Sequence, residues 1–135
     1  MQYQEKLESL VEAVQQLSLA RDLDSVATIV RATARTLAGS DGATLVLRDA
    51  GQCYYYDEDA ISPLWKGQRF PLSQCISGWC MLNRSAFAIE DIYADERMRH
   101  AAYRPTFVRS LLMTPIRTID PIGAIGSYWA QDDAP

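Results

Sequence analysis

The apolar positions of this chain crowd most densely between Val108 and Ala130, VRSLLMTPIRTIDPIGAIGSYWA. Two apolar runs, Ser110–Thr118 and Ile122–Ala130, flank Ile119-Asp120-Pro121. Asp-Pro forms turns because proline fixes φ at about −65° and aspartate bonds its own backbone. The connection is too short for a crossover helix, so the runs pair as antiparallel strands. On the first, Leu111, Met113 and Pro115 alternate with Leu112, Thr114 and Ile116. On the second, Ile122, Ala124, Gly126 and Tyr128 alternate with Ile125, Ser127 and Trp129. Both faces are apolar, which predicts central strands of a sheet covered on both sides.

Upstream the period changes. Tyr3, Leu7, Leu10, Val14 and Leu17 recur at alternating four- and three-residue steps, the a/d pattern of a coiled coil, which predicts a helix over 3–20. This stripe suits either a dimerisation helix or an amphipathic lid on the domain. Asp22 or Asp24 caps a second helix running to Leu37, with Leu23, Val26, Ala27, Val30, Ala34 and Leu37 on one face and Gly39 ending it. Ala43–Arg48 reads as a buried strand, Asp49-Ala50-Gly51 as a turn, and Gln52–Tyr56 as a second strand. There Tyr55 faces opposite to Tyr54 and Tyr56. Residues 57–68 read as loop, Arg69–Leu72 as a short edge strand, and Ile76–Asn83 as a short helix capped by Ser73. Ala86–Ile89 is a strand, 91–99 a loop with a helical turn, and 101–108 a helix interrupted at Pro105.

Composition narrows the class. A length of 135 residues suits one domain, and 48% hydrophobic with 22% charged residues is ordinary for a globular chain. No apolar run approaches the roughly 20 residues that span a bilayer, so no membrane insertion is expected. MQYQEKLESL has no signal-peptide pattern, and the expected localisation is cytoplasmic. A net charge of −4 argues against nucleic acid as a partner. Arg97, Arg99, His100, Arg104 and Arg109 form a local basic cluster, readable as a solvated loop or as an anion-binding or partner-docking patch.

Cys53, Cys75 and Cys80 are an odd number in a chain read as cytoplasmic, which argues against a disulfide framework. Their spacing, with one histidine, does not make a zinc site. Buried, inert thiols are the expectation, and no metal is expected. Neither a nucleophile elbow nor a glycine-rich phosphate loop occurs. Gly123 and Gly126 lie inside an apolar strand, where close backbone packing explains them.

Three stretches carry a resemblance: ISGWCMLNRSAFAIEDIYADERM, RPTFVRSLLMTPI and PIGAIGSYWA. They resemble the GAF domain, a sensory module of bacterial histidine kinases, cyclic-di-GMP enzymes and phytochromes, over about Leu19 to Ala130. The resemblance implies an α+β fold, a six-stranded antiparallel sheet with helices on both faces. It also implies a ligand cavity between one sheet face and the irregular segments of 67–108. Residues 1–20 are then an N-terminal signalling helix and 21–135 the GAF domain, whose usual C-terminal helix would begin where this sequence stops.

The family's branches differ in the chemistry they imply. Free methionine sulfoxide reductases use cysteines whose places here hold Ser77 and about Arg104, with Cys75 nearby. Bilin binders attach the chromophore through Cys-His, here Arg99-His100, which leaves noncovalent bilin or haem contact through His100. The Asn-Lys of the cyclic-nucleotide branch falls on Trp129 and Ala130. The favoured reading is a non-enzymatic sensor whose small-molecule ligand and cofactor the sequence does not name, relaying a signal to an output domain. The expected cavity residues are Tyr56, Phe70, Trp79, Ile89, Asp91, His100, Tyr103, Phe107, Met113 and Trp129, with Asp91 also readable as a loop cap. A homodimer through Tyr3, Leu7, Leu10, Val14 and Leu17 is expected. The alternatives are a ligand-free dimerisation module, a thiol-based reductase and a noncovalent bilin or haem binder.

Overall fold

The computed structural model describes residues 2–132. Its elements in chain order are α1 (Tyr3–Leu19), α2 (Leu23–Ala38), β1 (Gly42–Asp49), β2 (Gln52–Ala60), β3 (Arg69–Pro71), α3 (Ile76–Asn83), β4 (Phe87–Ile89), α4 (His100–Tyr103), β5 (Ser110–Ile116) and β6 (Gly123–Trp129). Single 3₁₀ turns at Leu72–Gln74 and Ile92–Ala94 flank α3 and β4. One six-stranded sheet, antiparallel throughout, runs in the order β3-β2-β1-β6-β5-β4. The chain's two ends of sheet sequence, β1 and β6, therefore meet at its centre, and the expected α+β architecture is observed.

The two sheet faces have different cover. α2 packs on β1, β2 and β6, with α1 lying against α2; α3 packs on the other face. Asp22 starts α2 by accepting the Ser25 N–H at 2.8 Å, and Gly39, with φ of 62°, ends it. The register decides which side chain faces which layer, because directly paired residues share a face. Val46, Tyr55, Ala124, Tyr128, Leu111 and Met113 face α3 and form the core there, joined by Cys53, Ile89 and Val108. Gly126 permits this packing: a Cβ there would lie 2.4 Å from the Tyr128 hydroxyl and 2.7 Å from Thr44 Oγ1. Those two oxygens share a buried hydrogen bond of 2.9 Å.

Four local expectations change. β2 continues to Ala60, so residues 57–60 are strand and not loop. A bulge at Leu45/Val46 in the β1–β2 pairing opposes Tyr56 and Asp57 to β1 from the same side. The hairpin strands are shorter than read, with a loop at 117–122 in which Arg117 and Asp120 take positive φ. The 101–108 helix reduces to α4, and Cys75, not Ser73, precedes the first residue of α3. No described helix is long and apolar enough to cross a membrane.

Candidate functional site

On the α3 side of the sheet, β2, β3, the 61–68 connection, the start of α3 and the 97–103 segment converge on a small cavity. Its volume is about 30 Å³, and Tyr55, Trp65, Phe70, Cys75, Arg99 and Tyr103 are among its walls, with Gln74, Ile76, Arg97, Met98 and Ala102 completing them. Just outside lies a groove of about 480 Å³ running along Pro63, Leu64, Gln68, Ala101, Pro105 and Thr106. Trp65, Phe70, Arg99 and Ala102 belong to both, and form the partition between them.

The partition is held by specific contacts. Glu58, on the cavity face of β2, accepts the backbone N–H groups of Leu64, Trp65 and Lys66, each at 2.9 Å. Trp65 is thereby fixed edge-to-face against Tyr103 (5.0 Å), Tyr128 (5.3 Å) and Tyr55 (5.6 Å). Its indole N–H donates to the Ala102 carbonyl at 3.1 Å, tying the 61–68 connection to α4. Tyr55 also meets Phe70 edge-to-face at 5.6 Å and shares a 3.1 Å hydrogen bond with Ser77 of α3. Burial holds the Tyr55 and Tyr103 phenols well above their ordinary pKa, so both are neutral.

The cavity wall also holds a thiol pair. Cys75 Sγ lies 2.9 Å from Cys53 Sγ and 3.4 Å from Ser77 Oγ. The hydrogen bond with Cys53 lowers the Cys75 thiol to about 7 against the opposing effect of burial, helped by Ser77, the Gly78 N–H and the charge of Arg99. The same pairing, together with burial, pushes Cys53 up, and burial alone pushes Cys80 up to about 11. Cys53 and Cys80 are buried as expected; Cys75 is half-buried at the cavity wall. Among the described residues, no group of three or more acidic, histidine or cysteine side chains is placed to hold a metal ion.

Of the residues expected at the cavity, Phe70 and Tyr103 line it. Ile89 and Met113 belong to the core on the same sheet face, and Phe107 packs against that core, its ring close to Gly42. Five others lie away from this cavity, Asp91 in the loop-cap role that its sequence also allows. Tyr56 lies on the opposite face, hydrogen bonded to Asp24 of α2, because the β2 strand presents Tyr55 inward. Trp129 is on that outer face too, paired with Ser110, and Tyr128 takes the inward position. Trp79 is 37% exposed on α3, with the Arg97 guanidinium 5.9 Å from its ring centroid. Asp91 caps the Ile92–Ala94 turn by accepting the Tyr93 N–H. His100 turns away, its Nε2 3.1 Å from the Asp95 carbonyl oxygen and its ring against Tyr93.

The basic cluster divides into local pairs. Arg97 meets Asp95 at 2.6 Å and Arg109 meets Asp132 at 3.2 Å, whereas Arg99 bonds the neutral Gln74 and lines both cavity and groove. Tyr55, Trp65, Cys75 and Arg99 line the cavity outside the expected set, although Arg99 belongs to the cluster readable as an anion-binding patch and Cys75 lies near a position of the reductase branch. Alternation separated Tyr55 from its neighbours without saying which face was inward. Trp65 lies in a stretch whose composition reads as loop.

A family model described as the GAF domain matches residues 20–135. The comparison with curated proteins gave no match. Among solved structures, the GAF domain of an Acinetobacter phosphoenolpyruvate-protein phosphotransferase is similar at a TM-score of 0.80 and 17% identity, over 99% of this chain and 82% of that one. Free methionine-R-sulfoxide reductase from Neisseria meningitidis, in complex with its substrate, gives 0.79 and 15% over 94% and 74%. The phycocyanobilin-bound GAF domain of a cyanobacterial phytochrome gives 0.74 and 16% over 94% and 81%. Identities this low carry the fold alone.

Proposed function

This chain belongs to the GAF domain family, and we propose that it is a non-enzymatic regulatory sensor that admits a small molecule through the groove beside Trp65. The observation that supports this reading is the partition itself. A space of about 30 Å³ is far below the ~300–1,000 Å³ of ordinary ligand sites, but the adjoining groove of about 480 Å³ falls within that range. In this reading an entering ligand displaces the Trp65 and Phe70 rings that divide the two. The ligand is then mostly apolar, packed on aromatic rings, with an anionic group met by Arg99, which has no carboxylate partner among the described residues. Asp95 already neutralises Arg97, so Arg99 is the favoured handle.

In this reading residues 21–135 are the sensing domain and 1–20 the signalling helix. The output domain, of kinase or cyclic-di-GMP-enzyme type, lies elsewhere in a longer cytoplasmic protein. Asp57 of β2 links the 61–68 connection to α2 and offers a route for the signal, since Lys66 and Arg31 both pair with it, at 3.1 and 2.8 Å. Noncovalent haem or bilin held through His100 loses ground, since that imidazole is engaged by Asp95 and Tyr93.

A thermal-shift and calorimetric screen of small aromatic carboxylates tests the reading. We expect saturable binding that Arg99→Ala weakens by roughly tenfold, the worth of one charge-assisted hydrogen bond, and that Trp65→Ala also alters. Binding unaffected by both substitutions places the ligand elsewhere and overturns it. A screen without a binder favours the second reading, a ligand-free dimerisation module, for which the exposed apolar stripe of α1 speaks.

A further inference from the structure

The geometry points to a modification site within this domain: Cys53 and Cys75 are a peroxide-oxidisable dithiol, in which a hydroperoxide oxidises Cys75 and Cys53 closes a disulfide onto it. Three features carry this. The sulfurs are already 2.9 Å apart, and a disulfide needs about 2.05 Å, so closure asks for a small movement between β2 and the first turn of α3. Only one of the two is placed to meet an oxidant, since Cys75 is half-buried and lines the cavity whereas Cys53 is fully buried behind it. The cavity, at about 30 Å³, has room for a molecule the size of water or hydrogen peroxide.

The surroundings of Cys75 suit an attacking sulfur. Ser77 Oγ is 3.4 Å away, and the Gly78 N–H and the Arg99 charge both favour the thiolate. Attack of the thiolate on the outer oxygen of the hydroperoxide forms an S–O bond and breaks O–O. The alcohol or water leaves with a proton from solvent, and Cys75 becomes a sulfenic acid. The Cys53 sulfur then attacks that of Cys75; S–S forms, S–O breaks, and water leaves with the Cys53 proton. Overall two thiols and one hydroperoxide give a disulfide, an alcohol or water, and water, a two-electron oxidation. The first step prepares the second, because a neutral sulfenic acid no longer opposes ionisation of Cys53 as the Cys75 thiolate does.

This inference does not rest on the small-molecule reading, and each can fail while the other stands. The test uses the full reduced chain, treated with a small excess of hydrogen peroxide and digested without reductant. We expect two of the three thiols to disappear together and the peptides bearing Cys53 and Cys75 to be joined, with Cys80 still free. The rate should rise through pH about 7 and level off above it. Cys75→Ser should slow thiol loss by roughly tenfold or more, and Cys53→Ala should leave one sulfenic acid per chain that dimedone traps. Oxidation of Cys75 to the sulfinic acid with Cys53 still free overturns the proposal. So does a disulfide only between chains, or first reaction at Cys80. Peptide mapping of the unsubstituted chain decides the matter even if the Cys53 variant folds poorly.

Discussion

Glu58 shapes the site without touching the cavity. Its Oε1 takes the N–H groups of Trp65 and Lys66 and its Oε2 that of Leu64, so one carboxylate satisfies three consecutive backbone donors. Hydrogen bonds to an ionised acceptor are about twice as strong as neutral ones. Glu58→Ala strands all three donors and should cost about 3 kcal/mol in urea denaturation, with Glu58→Gln, which keeps one acceptor oxygen, costing about half as much. Hydrogen exchange at residues 64–66 should speed up in both. A loss below about 0.5 kcal/mol for the alanine variant would mean that the aromatic contacts of Trp65 hold the connection alone. Gly78 constrains the other wall of the site. A Cβ there would lie 1.8 Å from the Leu72 carbonyl oxygen, so the first turn of α3, and Cys75 with it, sits tight against the preceding 3₁₀ turn.

At the scale of elements, the bulge in β2 joins the cavity face of the sheet to the helix layer. It turns Tyr56 and Asp57 together toward α2, where Arg31 bonds Asp57 at 2.8 Å and Arg35 bonds Asp59 at 2.7 Å. Partial burial raises the Asp57 carboxyl, but hydrogen bonds from Lys66 and the Glu58 N–H and the charges of Arg31 and Lys66 outweigh it, and hold it below the usual carboxylate range. A depressed folded value means stability that is present above the ordinary aspartate range and lost as pH falls through the folded value. Asp57→Asn should therefore melt lower than the unsubstituted chain at neutral pH, and the two melting curves should converge as pH drops below about 4. Parallel curves down to strong acid would show that Asp57 carries no such linkage. This strand also shows where sequence reading stops. α3 at Ile76–Asn83, the Gly39 stop and the apolar hairpin follow from local periodicity and local chemistry. Asp57-Glu58-Asp59 resembles a loop because its partners, Arg31, Arg35 and the 64–66 amides, are remote in sequence. Alternation likewise gives two opposed sets in β6, yet nothing local says that Tyr128 rather than Trp129 is inward. That is decided by Gly126 and Thr44, which together leave room for the phenol.

For the whole molecule, α1 raises the question of what covers its apolar stripe. It packs on α2 with its small residues, Ala13 buried and Ser9 half-buried, so the heptad positions are not used within the protomer. Leu7, Leu10, Val14 and Leu17 remain 43%, 47%, 58% and 36% exposed, and Tyr3 more so. Packing α1 on α2 through small side chains brings the two backbones close and leaves the larger side chains pointing outward. An a/d seam is self-complementary, so a second copy of α1 fits it without further design, each knob entering a hole on the facing helix. A helix of this length is marginal alone in water, and its anchoring to α2 supplies the order that a short coiled coil otherwise lacks. The dimer of this reading should appear in light scattering at micromolar concentration and dissociate in Leu10→Glu/Val14→Glu. Because both side chains are exposed in the protomer, the melting of the domain itself should change by no more than about 0.5 kcal/mol. A double variant that remains dimeric would move the interface to another surface. An unsubstituted chain that stays monomeric at high concentration would leave the stripe for a different partner. Dissociation with unchanged melting would tie this helix to assembly and not to the domain's core, as a signalling helix at the edge of a sensor requires.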